Sequence, residues 1–278
     1  MNVLAAFSSM AGVGNVLPRT KVGVPRVSQS GKTWNEVRPS FKKVKELGHG
    51  AFGKAFSALR GRSKVIIKVV SPMKGVVSLP EAYAALAREA AILVDLQRLP
   101  FIPRMVEVGK DYFIQEDVGG ESMLNILSKE GLSAFEILAV TVAVGIMISM
   151  IHKEGYAHRD LEPRNILLTP SGTVIIDFGI AVSKEENEKA YRNGIRRDLI
   201  SLLEDVTLAA SSRDLTEGER AALASIIEDF RKKVIQGSVN EYTGKELAER
   251  LLFVLAQLGS RAKRGGKMKP RKVKVLAV

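Results

Sequence analysis

Cysteine is absent from the 278 residues of the chain, which excludes disulfides and thiolate metal sites. This absence favours a cytoplasmic protein. The three histidines, His49, His152 and His158, are too few and too scattered for a zinc site. Long apolar runs are also lacking, because the longest, residues 137–151, falls short of the roughly 20 residues that a membrane-spanning helix needs. That run therefore predicts a buried core helix, and we expect no membrane partner.

Two apparent motifs near the N-terminus are rejected. The mildly apolar start, residues 1–17, has no basic stretch before it, which favours a disordered or processed leader over a secretory signal. The segment SQSGKT, residues 28–33, resembles the end of a phosphate-binding loop, but Arg26 occupies the place of the first glycine.

The net charge of +12 is concentrated at the two ends of the chain. Residues 1–45 carry +7 and residues 260–278 carry +8, so the residues between them carry −3. The sequence predicts a mobile basic arm over residues 1–40 and a basic tail over residues 260–278. The tail is either a solvated, solubilising end or a contact for nucleic acid or an acidic partner. Because it has no aromatic residue to stack on bases, such a contact would be electrostatic.

The hydrophobic pattern predicts an α+β fold with two lobes and a cleft between them. Residues 41–118 show strand-like runs and one helix, which Pro80 opens at a helix-start position. Residues 119–259 are helical apart from one hairpin at TPSG, with Ser133 as the N-cap of the long apolar helix. The expected domain thus covers residues 41–259, with a small, mostly β N-lobe over 41–118 and a helical C-lobe over 119–259.

The predicted N-lobe contains a glycine-rich segment and one lysine within an apolar run, and both are candidates for contact with a ligand. The segment GHGAFG places Gly48, Gly50 and Gly53 between two strand-like runs, where backbone amides can approach a phosphate closely. An ordinary glycine hairpin would look the same. Lys68 lies inside the β-branched run VIIKVV and points either to a ligand-binding face or, as an edge lysine, to solvent.

Glu89 favours the first reading of Lys68. It interrupts an otherwise apolar helical stripe formed by Leu86, Leu93 and Leu96. An unpaired inward carboxylate is costly, so Glu89 should have a cationic partner, and Lys68 is the best-placed candidate.

The segments HRDLEPRN, residues 158–165, and IDFG, residues 176–179, flank the predicted hairpin. The hairpin could bring Asn165 and Asp177 together as hard oxygen ligands for Mg²⁺. Asp160 stands on the preceding loop, where it could accept a proton from an incoming hydroxyl.

In this order and spacing, GHGAFG, VIIK, Glu89, HRDLEPRN and IDFG resemble the eukaryotic-type protein kinase superfamily. The resemblance covers residues 45 to about 205. It implies that Gly48, Gly50 and Gly53 cover the ATP phosphates and that Lys68, paired with Glu89, contacts the α- and β-phosphates. It also implies an adenine hinge at Glu116, Asp117 and Val118, Asp160 as the catalytic base, and Mg²⁺ held by Asn165 and Asp177. His152, His158 and Arg159 are expected to be structural.

The catalytic loop departs from the usual pattern at Glu162, where serine/threonine kinases carry a lysine that touches the γ-phosphate. Tyrosine kinases with HRDLAARN carry an arginine at the place of Arg164. We therefore expect Arg164 to supply the missing positive charge, while Glu162 turns outward or pairs with an arginine. A weakened site is the competing interpretation, and the retained Lys68 and Asp160 favour activity.

Two further departures concern the substrates. Ile66 replaces the small residue that usually packs against adenine. No APE motif follows IDFG, and only 18 residues separate Gly179 from Asp198, which resembles the helix aspartate that braces the catalytic loop. The chain is in this respect similar to compact atypical kinases, such as RIO-type, KEOPS-complex and lipopolysaccharide-type kinases.

These features predict an atypical kinase that uses ATP and Mg²⁺ to phosphorylate serine or threonine hydroxyls of a protein. The alternatives are a RIO-like ATPase or small-molecule kinase, and a nucleotide-binding pseudokinase scaffold. A protein substrate or partner is expected, together with possible nucleic-acid contact through the basic ends.

Overall fold

The computed structural model describes residues 27–129, 131–213 and 215–263. Their contacts divide them into an N-terminal unit, residues 27–119 with 177–180, and a C-terminal unit, residues 120–176 and 181–263. The first is rich in sheet and the second is largely helical, which confirms the predicted α+β fold class. The expected leader and most of the basic tail lie outside the described residues.

The N-terminal unit is built on one six-stranded sheet in the order β1-β5-β6-β4-β3-β2. The strands are β1 (Ser28–Gln29), β2 (Lys42–His49), β3 (Gly53–Arg60), β4 (Ser63–Val70), β5 (Met105–Val108) and β6 (Tyr112–Glu116). One face of β4 is buried through Val65, Ile67 and Val69, and the alternate residues Lys64, Ile66 and Lys68 point to the other side. This alternation determines which side chains share the face of Lys68.

Helix α2 (Leu79–Asp95) packs against this sheet, after a short helix α1 (Trp34–Val37) earlier in the chain. Ser78 is the N-cap of α2, and its capping box with Glu81 fixes where the helix starts. Pro80 lies in the first turn, where its missing N–H has no partner to lose.

The predicted separation of residues 1–40 from the domain requires correction for residues 28–40. Strand β1 pairs in parallel with β5, and the backbone N–H of Trp34 donates to Asp111 at 2.6 Å. The Trp34 ring is 5% exposed and packs against Phe41 and Phe56. A single aromatic residue in a glycine- and serine-rich stretch produces no periodic pattern, so this anchor was not visible in the sequence.

The C-terminal unit contains β7 (Glu121–Ser122), α3 (Met123–Lys129), α4 (Ala134–Lys153), β8 (Tyr156–Ala157), β9 (Ile166–Thr169), β10 (Gly172–Ile175), β11 (Val182–Ser183), α5 (Glu188–Ala210), α6 (Glu217–Gln236) and α7 (Thr243–Lys263). The predicted hairpin is confirmed, since β9 and β10 pair antiparallel around Pro170 and Ser171. Helix α7 continues to Lys263, beyond the predicted domain end at residue 259.

Helix α4 is the core of the C-terminal unit. It is the one described helix that is long and apolar enough to cross a membrane, but 78% of its most apolar window is buried. Ser133 caps it as predicted, accepting from the backbone N–H of Glu136 at 3.2 Å. The expected buried core helix is therefore confirmed.

A glycine pair sets the crossing of α4 and α7. A Cβ on Gly145 would come within 2.7 Å of the Gly244 carbonyl oxygen, and one on Gly244 within 2.8 Å of the Gly145 carbonyl oxygen. The backbone N–H of Lys245 also donates to Ser149 Oγ at 2.8 Å. Any side chain at either glycine would therefore push the two helices apart.

Asp205 is a buried carboxylate on α5 that makes no ion pair or hydrogen bond with its side chain among the described residues. Burial, with a smaller contribution from the charge of Glu204, raises its pKa to about 7. Below the ordinary pKa of an aspartate the group is neutral in both the folded and the unfolded chain. As the pH rises toward 7 only the unfolded chain loses the proton readily, so stability falls.

We expect Asp205→Asn to stabilise the protein by about 2 kcal/mol near pH 8 and hardly at all near pH 4, because the amide carries no charge to desolvate. The melting temperature near pH 8 should rise by roughly 4–8 °C. Thermal unfolding followed by circular dichroism at both pH values measures this. A gain of the same size at the two pH values would contradict the buried-charge explanation.

Candidate active site

The N-terminal unit holds a three-membered charge cluster. Lys68 Nζ on β4 lies 2.5 Å from Glu89 Oε1 on α2 and 2.8 Å from Asp177 Oδ1. The predicted ion pair between Lys68 and Glu89 is therefore present. The contact with Asp177 was not predicted, because the two residues are 109 positions apart in the sequence and no local pattern joins them.

The three members differ in exposure. The side chain of Glu89 is 6% exposed and that of Lys68 is 19% exposed, whereas that of Asp177 is 46% exposed. Burial acts to lower the pKa of Lys68, but the carboxylates of Glu89 and Asp177 outweigh burial and raise that pKa above its ordinary value. Lys68 therefore stays an ammonium at physiological pH, which suits contact with an anionic group.

The three glycines of GHGAFG have different environments. A Cβ on Gly53 would lie 2.4 Å from the Val69 carbonyl oxygen, so packing against β4 alone requires a glycine there. Around Gly48 the corresponding space is open, and around Gly50 the nearest atom is 3.8 Å away. The backbone at Gly48 and Gly50 can therefore be approached closely, and phosphate contact remains a prediction for all three glycines.

The predicted hinge residues follow β6. Glu116 is held by the backbone N–H of Arg104, which donates to its Oε1 at 2.9 Å, and Asp117 accepts from the backbone N–H of Gly119 at 2.9 Å. Within the part of the chain that the structure describes, Val118 makes no hydrogen bond through its own N–H or C=O. Those two groups can serve a ligand with donor and acceptor edges, as an adenine has.

A buried aspartate braces the predicted catalytic loop of the C-terminal unit. Asp198 on α5 is fully buried and accepts from the backbone N–H groups of His158 at 2.9 Å and Arg159 at 2.6 Å. It also lies 2.9 Å from His152 Nε2. Arg159 has a left-handed backbone with φ of 69°, a conformation that costs energy for a side chain and that Asp198 holds in place. His152, His158 and Arg159 thus occupy positions that support the loop.

The carboxylate of Asp160 is oriented by two neighbours. Asn165 Nδ2 donates to Asp160 Oδ2 at 2.9 Å and to the Asp160 carbonyl oxygen at 2.8 Å. Arg164 Nη2 lies 3.0 Å from Oδ1 and 3.1 Å from Oδ2. An ionised carboxylate held in one orientation by donors is well suited to receive a proton from a hydroxyl placed beside it.

Glu162 pairs with Arg164, which is one of the two arrangements expected for it. Arg164 Nη1 lies 2.6 Å from Glu162 Oε2, and both side chains are about half exposed. The guanidinium therefore binds the predicted base with one nitrogen and Glu162 with the other. Arg164 thus offsets the negative charge of Glu162 and at the same time remains the cationic partner of Asp160.

We expect Arg164→Ala to lower the rate of phosphoryl transfer by at least about tenfold, because it removes the donor that orients Asp160 and frees the charge of Glu162. Glu162→Ala should change the rate by less than about threefold, since Arg164 keeps its contact with Asp160. Steady-state rates of these two variants are compared with that of Arg164→Lys, which keeps the positive charge but cannot form the bidentate contact. Equal losses in Arg164→Ala and Glu162→Ala would contradict the proposed role of Arg164.

Two oxygen donors suit Mg²⁺. Asp177 offers a partly exposed carboxylate, and it has a left-handed backbone with φ of 66°. Asn165 commits its amide nitrogen to Asp160, which leaves the amide oxygen as the available acceptor. Carboxylate and amide oxygens are hard ligands of the kind that Mg²⁺ prefers, so each residue fits the predicted role.

The segment after IDFG is short in the structure as well as in the sequence. Strand β11 pairs with β8, and α5 begins at Glu188 with Asn187 as its N-cap. Tyr191 on α5 donates its hydroxyl to the His152 carbonyl oxygen at 2.5 Å. The described chain therefore passes from β11 directly into the helix that carries Asp198.

Comparison with known proteins agrees with this geometry. Residues 41–197, more than half of the chain, match the family model described as the protein kinase domain. The chain belongs to the protein kinase family. The kinase domain is also similar to the CBL-interacting serine/threonine-protein kinase 18 of Arabidopsis thaliana, with 34% identity over 149 residues. A protein named as a probable serine/threonine-protein kinase of Clostridium perfringens is 31% identical over 114 residues.

These similarities are partial. They cover 51% and 39% of this chain, and 28% and 16% of the two relatives. The kinase domain thus spans less than a third of the length of either relative.

Proposed function

We propose that this kinase domain transfers the γ-phosphoryl group of ATP to a hydroxyl, with serine or threonine of a protein as the acceptor. The observation that carries the proposal is the intact environment of Asp160, which two neighbouring donors orient while Asp198 braces its loop. The charge cluster of Lys68, Glu89 and Asp177 gives independent support. Both relatives named above are called serine/threonine-protein kinases, which favours that acceptor.

In the proposed reaction the acceptor hydroxyl gives its proton to the carboxylate of Asp160 as its oxygen attacks the γ-phosphorus. The bond between that phosphorus and the bridging oxygen of ADP breaks, and ADP leaves with the electron pair. Lys68 would hold nucleotide phosphate oxygens, and Asn165 and Asp177 each carry an oxygen that would suit Mg²⁺. When bound, Mg²⁺ neutralises charge that develops on the phosphate oxygens.

The compact, atypical character of the kinase is part of the proposal. The described chain has only β11 and a short turn between IDFG and α5, which leaves little backbone to form a peptide-docking platform. We therefore expect acceptor recognition to depend on surfaces outside this segment. Transfer to a small molecule, or ATP hydrolysis alone, is the main alternative within the same chemistry.

The test is incubation of the full chain with γ-labelled ATP and Mg²⁺, alone and with a generic acceptor protein. We expect label on serine or threonine of the acceptor or of the kinase itself, and none when Mg²⁺ is chelated. Release of labelled phosphate without protein labelling would indicate an ATPase and not a protein kinase. Nucleotide binding with neither outcome would identify a pseudokinase scaffold.

A further inference from the structure

The outer end of the N-terminal sheet carries five exposed basic residues that the proposed reaction does not use. We call them the basic face: Lys42, Lys43, Lys45, Arg62 and Lys64. Among the described residues none of them forms an ion pair. Some other exposed basic residues do form ion pairs, such as Arg192 with Glu188 and Lys232 with Glu228.

Strand register places three of these lysines on one side of the sheet. Lys42 and Lys64 both lie opposite Leu59, on either side of β3. Directly opposite residues on neighbouring strands point the same way, and strands lie about 4.8 Å apart, so the two lysines are separated by roughly 10 Å. Lys45 and Ile66 are likewise both opposite Ser57. Lys42, Lys45 and Lys64 therefore share the side of the sheet on which Lys68 lies.

An irregularity in β2 makes this arrangement possible. Between Lys42 and Lys45 the strand has one residue more than its partner β3 has between Leu59 and Ser57. In a regular strand two residues three apart would point to opposite sides, and the extra residue brings both lysines to the same side. Lys43 has a left-handed backbone with φ of 52°, a conformation that is uncommon for a residue with a side chain. A lysine is thus kept where glycine would fit with less strain.

Two carboxylates on the opposite side of the sheet are already engaged. Glu46 pairs with Lys54 at 3.1 Å, and Glu107 pairs with Arg60 at 2.6 Å. Lysines on an edge strand also discourage pairing with another sheet, and β2 is an edge strand. That role does not account for Lys64 on the inner strand β4 or for Arg62 in the turn before it.

The strands of the basic face carry positive charge but no aromatic side chain that is free to anchor a protein partner. The only Phe, Tyr or Trp on β2, β3 and β4 is Phe56, which lies opposite the buried Ile67 and stacks on Trp34. Protein interfaces usually depend on buried aromatic or apolar anchors, whereas lysine and arginine can bind a nucleic-acid backbone without such an anchor. We propose that the basic face binds the phosphate backbone of a nucleic-acid strand, without stacking on bases and so with little sequence preference.

This proposal is independent of the transfer reaction, and binding is measured in the absence of ATP. The test uses fluorescence anisotropy with a labelled mixed-sequence RNA strand of about 20 nucleotides, longer than a typical single-strand footprint. A second measurement uses a DNA strand of the same sequence and shows whether binding depends on the sugar. The variant replaces Lys42, Lys45, Arg62 and Lys64 by glutamine in the full chain, so the chain ends stay unchanged.

The matched control replaces Lys184, Lys189, Arg197 and Arg231 by glutamine, exposed residues of the C-terminal unit that form no ion pair among the described residues. Both variants lose four positive charges, so only position distinguishes them. We expect the basic-face variant to bind at least about tenfold more weakly near 0.1 M salt, and the magnitude of its salt slope to fall by about 3, from roughly 0.7 for each lost phosphate contact. The control should stay within about twofold of the wild type.

Equal weakening of the two variants, at unchanged melting temperatures, would overturn the proposal, since binding would then follow net charge alone. It would also be overturned if the wild type bound neither strand but bound an acidic polypeptide such as polyglutamate through the same residues. The partner of the basic face would in that case be a protein.

Discussion

Asp160→Asn is expected to lower the rate of phosphoryl transfer by about 10²- to 10⁴-fold and to leave nucleotide binding nearly unchanged. Asparagine keeps the size of the side chain and one acceptor oxygen for Asn165 and Arg164, but an amide cannot take the proton of the acceptor hydroxyl. The loss should therefore appear in kcat. Labelled-ATP transfer and equilibrium binding of a nucleotide analogue measure the two properties separately.

A suitable control is Asp229→Asn, the same chemical change at an exposed carboxylate of α6 that pairs with Arg250. It should transfer phosphate at the wild-type rate, because a surface ion pair contributes little to stability. Retention of at least a tenth of the wild-type rate in Asp160→Asn would show that Asp160 does not act as the base. Loss of nucleotide binding in that variant would instead point to a disturbed fold.

Much of the candidate site was predictable because its residues are close in sequence or follow a simple period. HRDLEPRN places Asp160, Arg164 and Asn165 within six positions, and the structure shows them in contact. Glu89 stood out because one carboxylate interrupted an apolar helical stripe, and burial forces such a group to find a cation. Local chemistry was enough in both cases.

Other features depend on contacts between distant residues, which leave no local pattern. Trp34 joins the core through Phe41, Phe56 and Tyr112, so residues 28–40 became part of the domain although they read as an arm. The strand irregularity at Lys43 depends on its pairing with β3, and neighbouring residues do not reveal it. The contact of Asp177 with Lys68 likewise needs the folded chain.

The second large effect concerns Lys68, whose removal is expected to cost both activity and stability. Lys68→Met leaves Glu89 buried without its cation, and such a change typically costs about 3–5 kcal/mol. Thermal unfolding of the nucleotide-free protein near pH 8 should show a fall of roughly 6–12 °C or more. Asp177 loses a partner too, but its carboxylate is about half exposed and water can replace the contact.

The penalty should depend on pH in a defined direction. Burial raises the pKa of Glu89 and favours its neutral form, and without Lys68 the main opposing charge is gone. A carboxyl whose pKa is raised in the folded state makes the protein less stable as the pH rises. The melting temperature of Lys68→Met should therefore be closest to that of the wild type near pH 5 and furthest from it near pH 8. A loss that does not vary with pH would argue against an unpaired Glu89 as its cause.

The double variant Lys68→Met with Glu89→Gln separates the two roles of the ion pair. Glutamine carries no charge, and its carbonyl oxygen can still accept the hydrogen bond that the Phe178 backbone N–H donates to Glu89. We therefore expect most of the lost melting temperature to return, while phosphoryl transfer stays at least about a hundredfold below the wild type, because no ammonium remains to hold the nucleotide. Recovery of activity along with stability would show that Lys68 serves only the fold, whereas recovery of neither would show that its contact with Asp177 outweighs that with Glu89.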